Sequence, residues 1–318
     1  MNTKHPHNNA IADWSSYWAL GHLTSLPNAY AQNYEGEFEQ FWAQSFRELA
    51  SDAQVVDICS GNGSIALLCK TYSDRNHKNF AVTACDAASI KVRALTAQHP
   101  EFANQLNAIT ILSRTPLNRL DIPDHSIDLV TSQFGFEYTH WAESATIIAR
   151  LIKRGGNFSM VSHRPDSTIV IEMRQQQVDF EFLSRLDLFS APKKRPNSAA
   201  AAKQWLTLVE RTLNEIYQRF QANRESFILR QIGEQLESIK QQAHQQFRTA
   251  HTKFIELAKQ VTISYVTATD LTTMADRLES EPYWHLSLIE AGLELIQQHD
   301  IHYETGDVAA IGYVFRKT

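Results

Sequence analysis

The sequence predicts an α/β fold: a doubly wound, mostly parallel sheet of seven strands that finishes in an antiparallel hairpin, with a long helical insertion between the fifth and sixth strands. Three observations predict it. Between residues 51 and 165, short apolar runs alternate with amphipathic stretches, the pattern of a parallel sheet covered on both faces. Between Gly156 and Gly292 the only glycine is Gly233, and no proline lies between Pro196 and Pro282. The chain then closes with two strand-like runs around a glycine turn.

Each element follows from its residues. Residues 1–50 form a predicted helical cap rich in aromatic side chains. Phe38, Phe41, Trp42, Phe46 and Leu49 recur every three or four positions after a Tyr34-Glu35-Gly36 turn, which predicts an amphipathic helix packed on the core. The earlier group Trp14-Ser15-Ser16-Tyr17-Trp18 is a candidate flap over a ligand. Strands are expected at Gln54–Cys59, Phe80–Cys85, Ala108–Leu112, Ile127–Ser132 and Asn157–Ser162. Helices are expected at Ser64–Thr71, Ser89–Gln98 and Trp141–Lys153, the last ended by an Arg154-Gly155-Gly156 turn.

The insertion is expected over 166–281. Leu206, Val209, Leu213, Ile216 and Phe220 are spaced three and four apart, and the spacing resumes at Ile228, Ile232, Leu236 and Ile239. That predicts long amphipathic helices, an antiparallel pair turning near Asn223–Ser226. Such a subdomain can be structural, a lid over substrate or a homodimer seam. A helix is then expected at Glu281–His299, and a hairpin from His302-Tyr303-Glu304 and Ala309–Phe315 around Thr305-Gly306-Asp307. The α/β domain is therefore expected to comprise residues 51–165 and 282–318.

Composition narrows the function. The 318 residues are 43% hydrophobic, enough for a substantial core in two domains or one with a large insertion. A net charge of −5 and a pI of about 6.2 argue against a nucleic-acid partner. The basic cluster Pro192-Lys193-Lys194-Arg195-Pro196 reads first as a solvated loop. The start, MNTKHPHNN, lacks the apolar core of a secretory signal, and no window approaches ~18 consecutive apolar residues, so no membrane partner is expected. Cys59, Cys69 and Cys85 form no C-x-x-C pair, which fits a reducing, cytoplasmic setting. The thirteen histidines are scattered without metal-ligand spacing, so no metal is expected.

The stretch Val55-Val56-Asp57-Ile58-Cys59-Ser60-Gly61-Asn62-Gly63-Ser64-Ile65-Ala66 has the order strand, tight loop, helix. Gly61, Gly63 and Ala66 satisfy the G-x-G-x-x-G/A pattern of a dinucleotide loop, with Asp86 placed to take ribose hydroxyls. Three features favour a methyl donor instead. Asp57 precedes the loop, where a carboxylate would repel a pyrophosphate and welcome a sulfonium. Some fifty residues of aromatic-rich helix come first. The closing hairpin is not the ordinary finish of a dinucleotide fold.

VVDICSGNG, VTACD, LDIPDHSIDLV, SQFGFEY and LIKRGGNFSMV, in that order, resemble the motif series of the class I S-adenosylmethionine-dependent methyltransferases. The chain is most similar to the subgroup with a type 11 domain that includes the ubiquinone and menaquinone biosynthesis enzymes. The likeness covers roughly residues 50–165 and the final thirty, and implies a Rossmann-like fold with S-adenosylmethionine as cofactor. It implies that Asp57, Gly61 and Gly63 wrap the donor's methionine end, with Cys59 where many members have glycine. Asp86 would bind the ribose hydroxyls and Ala87 would lie beside the adenine. Asp128 would be structural, and Ser132 and Gln133 would touch the donor. Pro116 stands where the family usually has an acid contacting the adenine, so the Leu117 backbone or Asn118 is the expected substitute.

Methyl transfer to an acceptor needs alignment and, for a protonated nucleophile, a base. The candidates above the carboxyl ends of the strands are Glu137, Tyr138 and His140 after the fourth strand and His163 after the fifth; Glu137, Tyr138 and His163 are carried forward as catalytic residues. No [DNS]-P-P-[FYW] tetrapeptide and no Pro-Cys dipeptide occurs, which removes two classes of nucleobase and amide methylation. A small-molecule acceptor under a helical cap is the expectation. A protein or RNA acceptor docked on the insertion, or a non-catalytic scaffold of the same fold, is the alternative.

Overall fold

The computed structural model describes residues 14–26, 29, 30, 32–190 and 195–318. The polar start MNTKHPHNN and Pro192-Lys193-Lys194 of the basic cluster lie outside the described residues. The chain divides into two compact units. One runs up to Ile171 and resumes over Thr273–Thr318; the other is Glu172–Thr272.

The first unit is built on a seven-stranded sheet: β1 Gln54–Ile58, β2 Ala81–Asp86, β3 Thr110–Ser113, β4 Ile127–Gln133, β5 Ile152–Ser162, β6 Leu293–His302 and β7 Val308–Lys317. Their order across the sheet is β3-β2-β1-β4-β5-β7-β6. The first five strands pair in parallel, and β7 lies antiparallel to both β5 and β6. The chain reverses its direction of winding between β1 and β4, and such a switch point is where open α/β sheets bind their ligands. β1 is buried at Val55, Val56, Asp57 and Ile58, as a central strand covered on both faces must be. Phe136, Phe158, Met160, Ile148 and Phe315 centre the core on one face.

Two expectations fail locally. The helix Trp141–Leu151 stops before the glycine pair, and Gly155 and Gly156 lie inside β5 instead of forming a turn before it. The pairing with β4 jumps from Ile127–Ile152 to Leu129–Asn157, so the glycines form a bulge. A Cβ at Gly156 would lie 2.9 Å from the Asp128 carbonyl oxygen, which is why this position takes no side chain.

The second failure is the expected helix Glu281–His299. The helix found is Leu286–Glu290, and Gly292, at φ 88°, turns the chain into β6 at Leu293. LELIQQHDIH is rich in helix formers, but pairing of nine of its residues with β7 overrides that local preference. As an edge strand with one wet face, it carries polar residues that hide its period.

The second unit is helical. It holds most of Thr168–Arg185, then Asp187–Ser190, Ala199–Ala222 and the greater part of Phe227–Ser280. The last of these breaks at Gln246, where φ is −136° and ψ 65°. Ser198 caps Ala199–Ala222 by accepting from the Ala201 N–H at 3.2 Å. In the turn at 223–226, the Ser226 hydroxyl accepts from Leu229 N and donates to the buried Asp179 carboxylate. Val209, Leu213, Ile216, Leu229, Leu236 and Phe254 fill the core. Among the described residues, no helix is long and apolar enough to cross a membrane.

Candidate functional site

The site assembles where β1, β2, β4 and β5 end. After β1 the chain turns through Cys59, Gly61 and Gly63, at φ 52°, 53° and 80°, and enters the helix Ser64–Arg75. Left-handed backbone suits glycine, so Cys59 at a position where glycine is usual carries about 1–2 kcal/mol of strain. Burial pushes its thiol well above the ordinary range, which makes it inert filler.

Asp57, near the end of β1, is a buried tie between elements. Its carboxylate is 1% exposed. It accepts from the Thr131 hydroxyl at 2.9 Å and the Ala66 N–H at 3.2 Å. It therefore ties β1 to β4 and to the start of the helix, and burial raises its pKa to about 7.

Asp86, at the end of β2, is half-buried and accepts from Gly61 N and Ala88 N, each at 2.7 Å. Burial raises its pKa, and the two backbone donors pull the other way. Each oxygen spends one lone pair on the backbone and keeps capacity for a hydroxyl. Ala87 lies in the bend between these anchors. The Leu117 side chain is 9% exposed and belongs to the core, while the Asn118 amide donates to Glu143 at 3.3 Å. Asp128 pairs with Lys153 at 2.8 Å and accepts from Gln54 N, a structural tie at the far end of the strands.

Opposite the donor loop stands the turn after β4. The Ser132 hydroxyl is fully buried and accepts from Phe136 N at 3.0 Å. Gln133 accepts from the Trp42 indole N–H at 2.6 Å, and its Nε2 is buried without a partner. Phe134 is left-handed at φ 52°, and Gly135 follows. A Cβ at Gly135 would lie 2.5 Å from the Cβ of Cys59, so the donor loop and this turn touch.

Two residues on, Glu137 is wholly buried. Its Oε1 accepts from the His163 N–H at 3.0 Å, and its Oε2 is buried without a hydrogen-bond partner. Burial raises its carboxyl to about 7. His163, 4% exposed at the end of β5, stacks on Phe134 with centroids 4.3 Å apart. Burial lowers its pKa to about 3, so the ring is neutral, and its Nδ1 has no partner. Tyr138 sets its ring edge-on to His163 at 6.1 Å and to Trp14 at the same separation.

The sequence reading missed what holds the aromatic segment in place. Asn62, inside the donor loop, donates to the carbonyls of Trp18 at 3.0 Å and His22 at 2.7 Å. Ser89 N donates to the Ser15 hydroxyl at 2.9 Å. A Cβ at Gly61 would lie 2.2 Å from the Trp18 ring, so the indole lies directly on the loop. The available signal was the polar Asn62 between two glycines, a residue with donors to spend.

These residues fit the donor that the motif series implies. Gly61 and Gly63 leave the loop bare of side chains, the half-buried Asp86 carboxylate keeps lone pairs for a diol, and an aromatic side chain covers the loop. No cluster of three or more metal-ligating side chains occurs among the described residues.

Residues 56–160 match the family model described as methyltransferase domain. No curated protein matches the chain in sequence. Among solved structures, the chain is similar to an S-adenosylmethionine-dependent methyltransferase from Aquifex aeolicus, at 15% identity over 48% of this chain and 74% of that one, with a TM-score of 0.36. It is also similar to the 1,6-didemethyltoxoflavin-N1-methyltransferase of Burkholderia thailandensis, at 16% identity over 52% and 67%, with a TM-score of 0.37. Likenesses of that size say nothing about an acceptor. The family match is to the methyltransferase domain at large. On the match of residues 56–160, the chain carries a class I S-adenosylmethionine-dependent methyltransferase domain.

Proposed function

We propose that this protein is an enzyme that transfers a methyl group from S-adenosylmethionine to a small-molecule acceptor bound where β4 and β5 end. The observation that carries this is the contact between Cys59 of the donor loop and Gly135, two residues before a buried carboxylate with one oxygen free. Donor loop and candidate base are thereby adjacent.

Bound S-adenosylmethionine supplies a methyl group already activated on a sulfonium. Gly61, Gly63 and Asp86 hold it on this reading, with Trp18 covering the loop. What the chain adds is alignment, exclusion of water and removal of the acceptor's proton. Glu137 is the base: its pKa of about 7 keeps the carboxylate available near neutrality, whereas a His163 ring with a pKa near 3 is a poor acceptor. His163 instead orients Glu137 through its backbone N–H and stacks on Phe134. The unpaired cysteines support a cytoplasmic setting.

The test is isothermal titration and thermal unfolding with S-adenosylhomocysteine, S-adenosylmethionine and NADH. Adenosyl ligand at a hundred times its dissociation constant should add about 2.7 kcal/mol. That gain should vanish in Asp86→Ala. Stabilisation by NADH alone would overturn the reading.

A further inference from the structure

We infer that the acceptor is an amine attached to an aromatic or other flat apolar body, and that Glu137 recognises its nitrogen. The inference rests on the methyltransferase reading for the reaction, but its structural grounds are separate. They are a buried carboxylate oxygen without a partner, a run of ring faces beside it and the absence of an uncommitted cation in the immediate chain.

Glu137 is fully buried; its Oε1 accepts from His163 N–H and its Oε2 has no partner within hydrogen-bond geometry, although the Ser162 hydroxyl and the backbone N–H groups of Gly135 and Glu137 also draw its pKa down. A buried acceptor left open costs free energy unless something fills it, and what fills a carboxylate is a hydrogen-bond donor, best of all a cationic one. The rings beside it form a continuous series. Trp14 meets Tyr138, Tyr138 meets His163, His163 stacks on Phe134, and Phe134 meets Tyr34 at 6.4 Å. Aromatic faces attract ammonium groups and stack on flat bodies.

An anionic acceptor finds no such welcome. The cation next in sequence, Arg164, is committed to Asp166 at 2.6 Å and Asp300 at 2.5 Å. Neither Glu137 nor His163 has a positively charged neighbour among the groups that shift it. A carboxylate or phosphate placed here would face Glu137 unscreened.

The chemistry balances. The amine arrives with a proton on nitrogen and gives it to Glu137 Oε2. The nitrogen lone pair then forms the new C–N bond as the sulfur–methyl bond breaks, and that electron pair stays on sulfur, giving S-adenosylhomocysteine. A second proton leaves the methylated nitrogen when Glu137 has returned the first to solvent, or the product departs as an ammonium ion.

Three probes of one shape separate the classes: phenethylamine, 2-phenylethanol and phenylacetate, titrated calorimetrically into protein saturated with S-adenosylhomocysteine. Phenethylamine should bind at least tenfold more tightly than either other probe, and Glu137→Gln should erase that preference. Equal binding of the three, preference for phenylacetate, or no binding by any of them would overturn the inference. So would an unchanged amine preference in a Glu137→Gln protein that is folded by circular dichroism. Should that variant not fold, the ranking on the wild-type protein decides alone. Repeating the series without adenosyl ligand keeps the two readings apart: an amine preference in a protein that binds no S-adenosylhomocysteine would leave the amine site standing and sink the methyl transfer.

Discussion

The two units of this chain differ in where they leave buried polar groups open. In the helical unit, the buried Asp179 carboxylate receives the Ser226 hydroxyl at 2.5 Å, and Ser226 also caps the following helix. The rest of its interior is chiefly Leu, Ile, Val, Phe and Ala, and the Trp205 indole nitrogen is buried there without a partner. In the sheet unit, Gln133, Glu137 and His163 each keep a buried polar atom without a partner, and they are close in the chain to strand ends. An unmatched buried polar group costs about 1–3 kcal/mol, so three in one neighbourhood mark a place where stability is given up for chemistry.

That contrast can be broken from either side. The largest effect should come from the helical core: Leu236→Ala, at a fully buried position, should cost about 2–5 kcal/mol in denaturant unfolding. S-adenosylhomocysteine affinity should stay unchanged, because every donor-site residue assigned above lies in the sheet unit. A large loss of affinity would refute the division.

The pH dependence comes next. Asp57 and Glu137 both have pKa values raised to about 7 by burial. The folded state therefore holds protons that the unfolded state has already released. This stabilisation is fully present below the ordinary carboxylate range, near pH 4, and is lost as pH rises through about 7. His163, kept neutral by the same burial with a pKa near 3, contributes the opposite trend over much of that window, so the carboxylates' share is read as the difference between the wild-type protein and variants lacking them. Asp57→Asn or Glu137→Gln should make the change of stability with pH more positive than in the wild-type protein, and an unaltered slope would contradict the burial of these carboxylates. Methyl transfer should show the opposite trend, with the rate climbing through pH 7 as Glu137 ionises.

A smaller effect probes the contact between the loops. Gly135→Ala would place a methyl 2.5 Å from the Cys59 Cβ and should cost about 1–3 kcal/mol together with adenosyl-ligand affinity. Smallest, Cys59→Gly relieves a left-handed side chain and should be neutral or stabilising by about 1 kcal/mol. In the double variant, Cys59→Gly should recover part of the Gly135→Ala loss. Strict additivity of the two would show that the loops do not press on each other.

The strands β1 to β5 were legible because a parallel sheet buried on both faces writes itself as apolar runs between amphipathic stretches. β6 was not, because an edge strand with a wet face and helix-forming residues is defined by its partner β7 and not by its own letters. Asp57 was legible as a motif residue but not as a tie between Thr131 and Ala66, since both partners are far along the chain or across a turn. His163 and Glu137 were both legible as candidates for proton transfer. Their separation into a neutral ring and an available carboxylate came from burial, which opposes charge on either group and so moves the two pKa values apart.

The sequence by itself determined the alternating α/β pattern, the helical insertion and the glycine loop with an acid at the end of the next strand. These are local or periodic properties, fixed by which residues can adopt left-handed backbone and which faces must leave water. Only the tertiary structure decided that Trp18 lies on Gly61, that Cys59 meets Gly135 and that Glu137 keeps one oxygen open. Those are encounters between segments tens of residues apart, and their outcome depends on how strands end against one another, which no local pattern encodes.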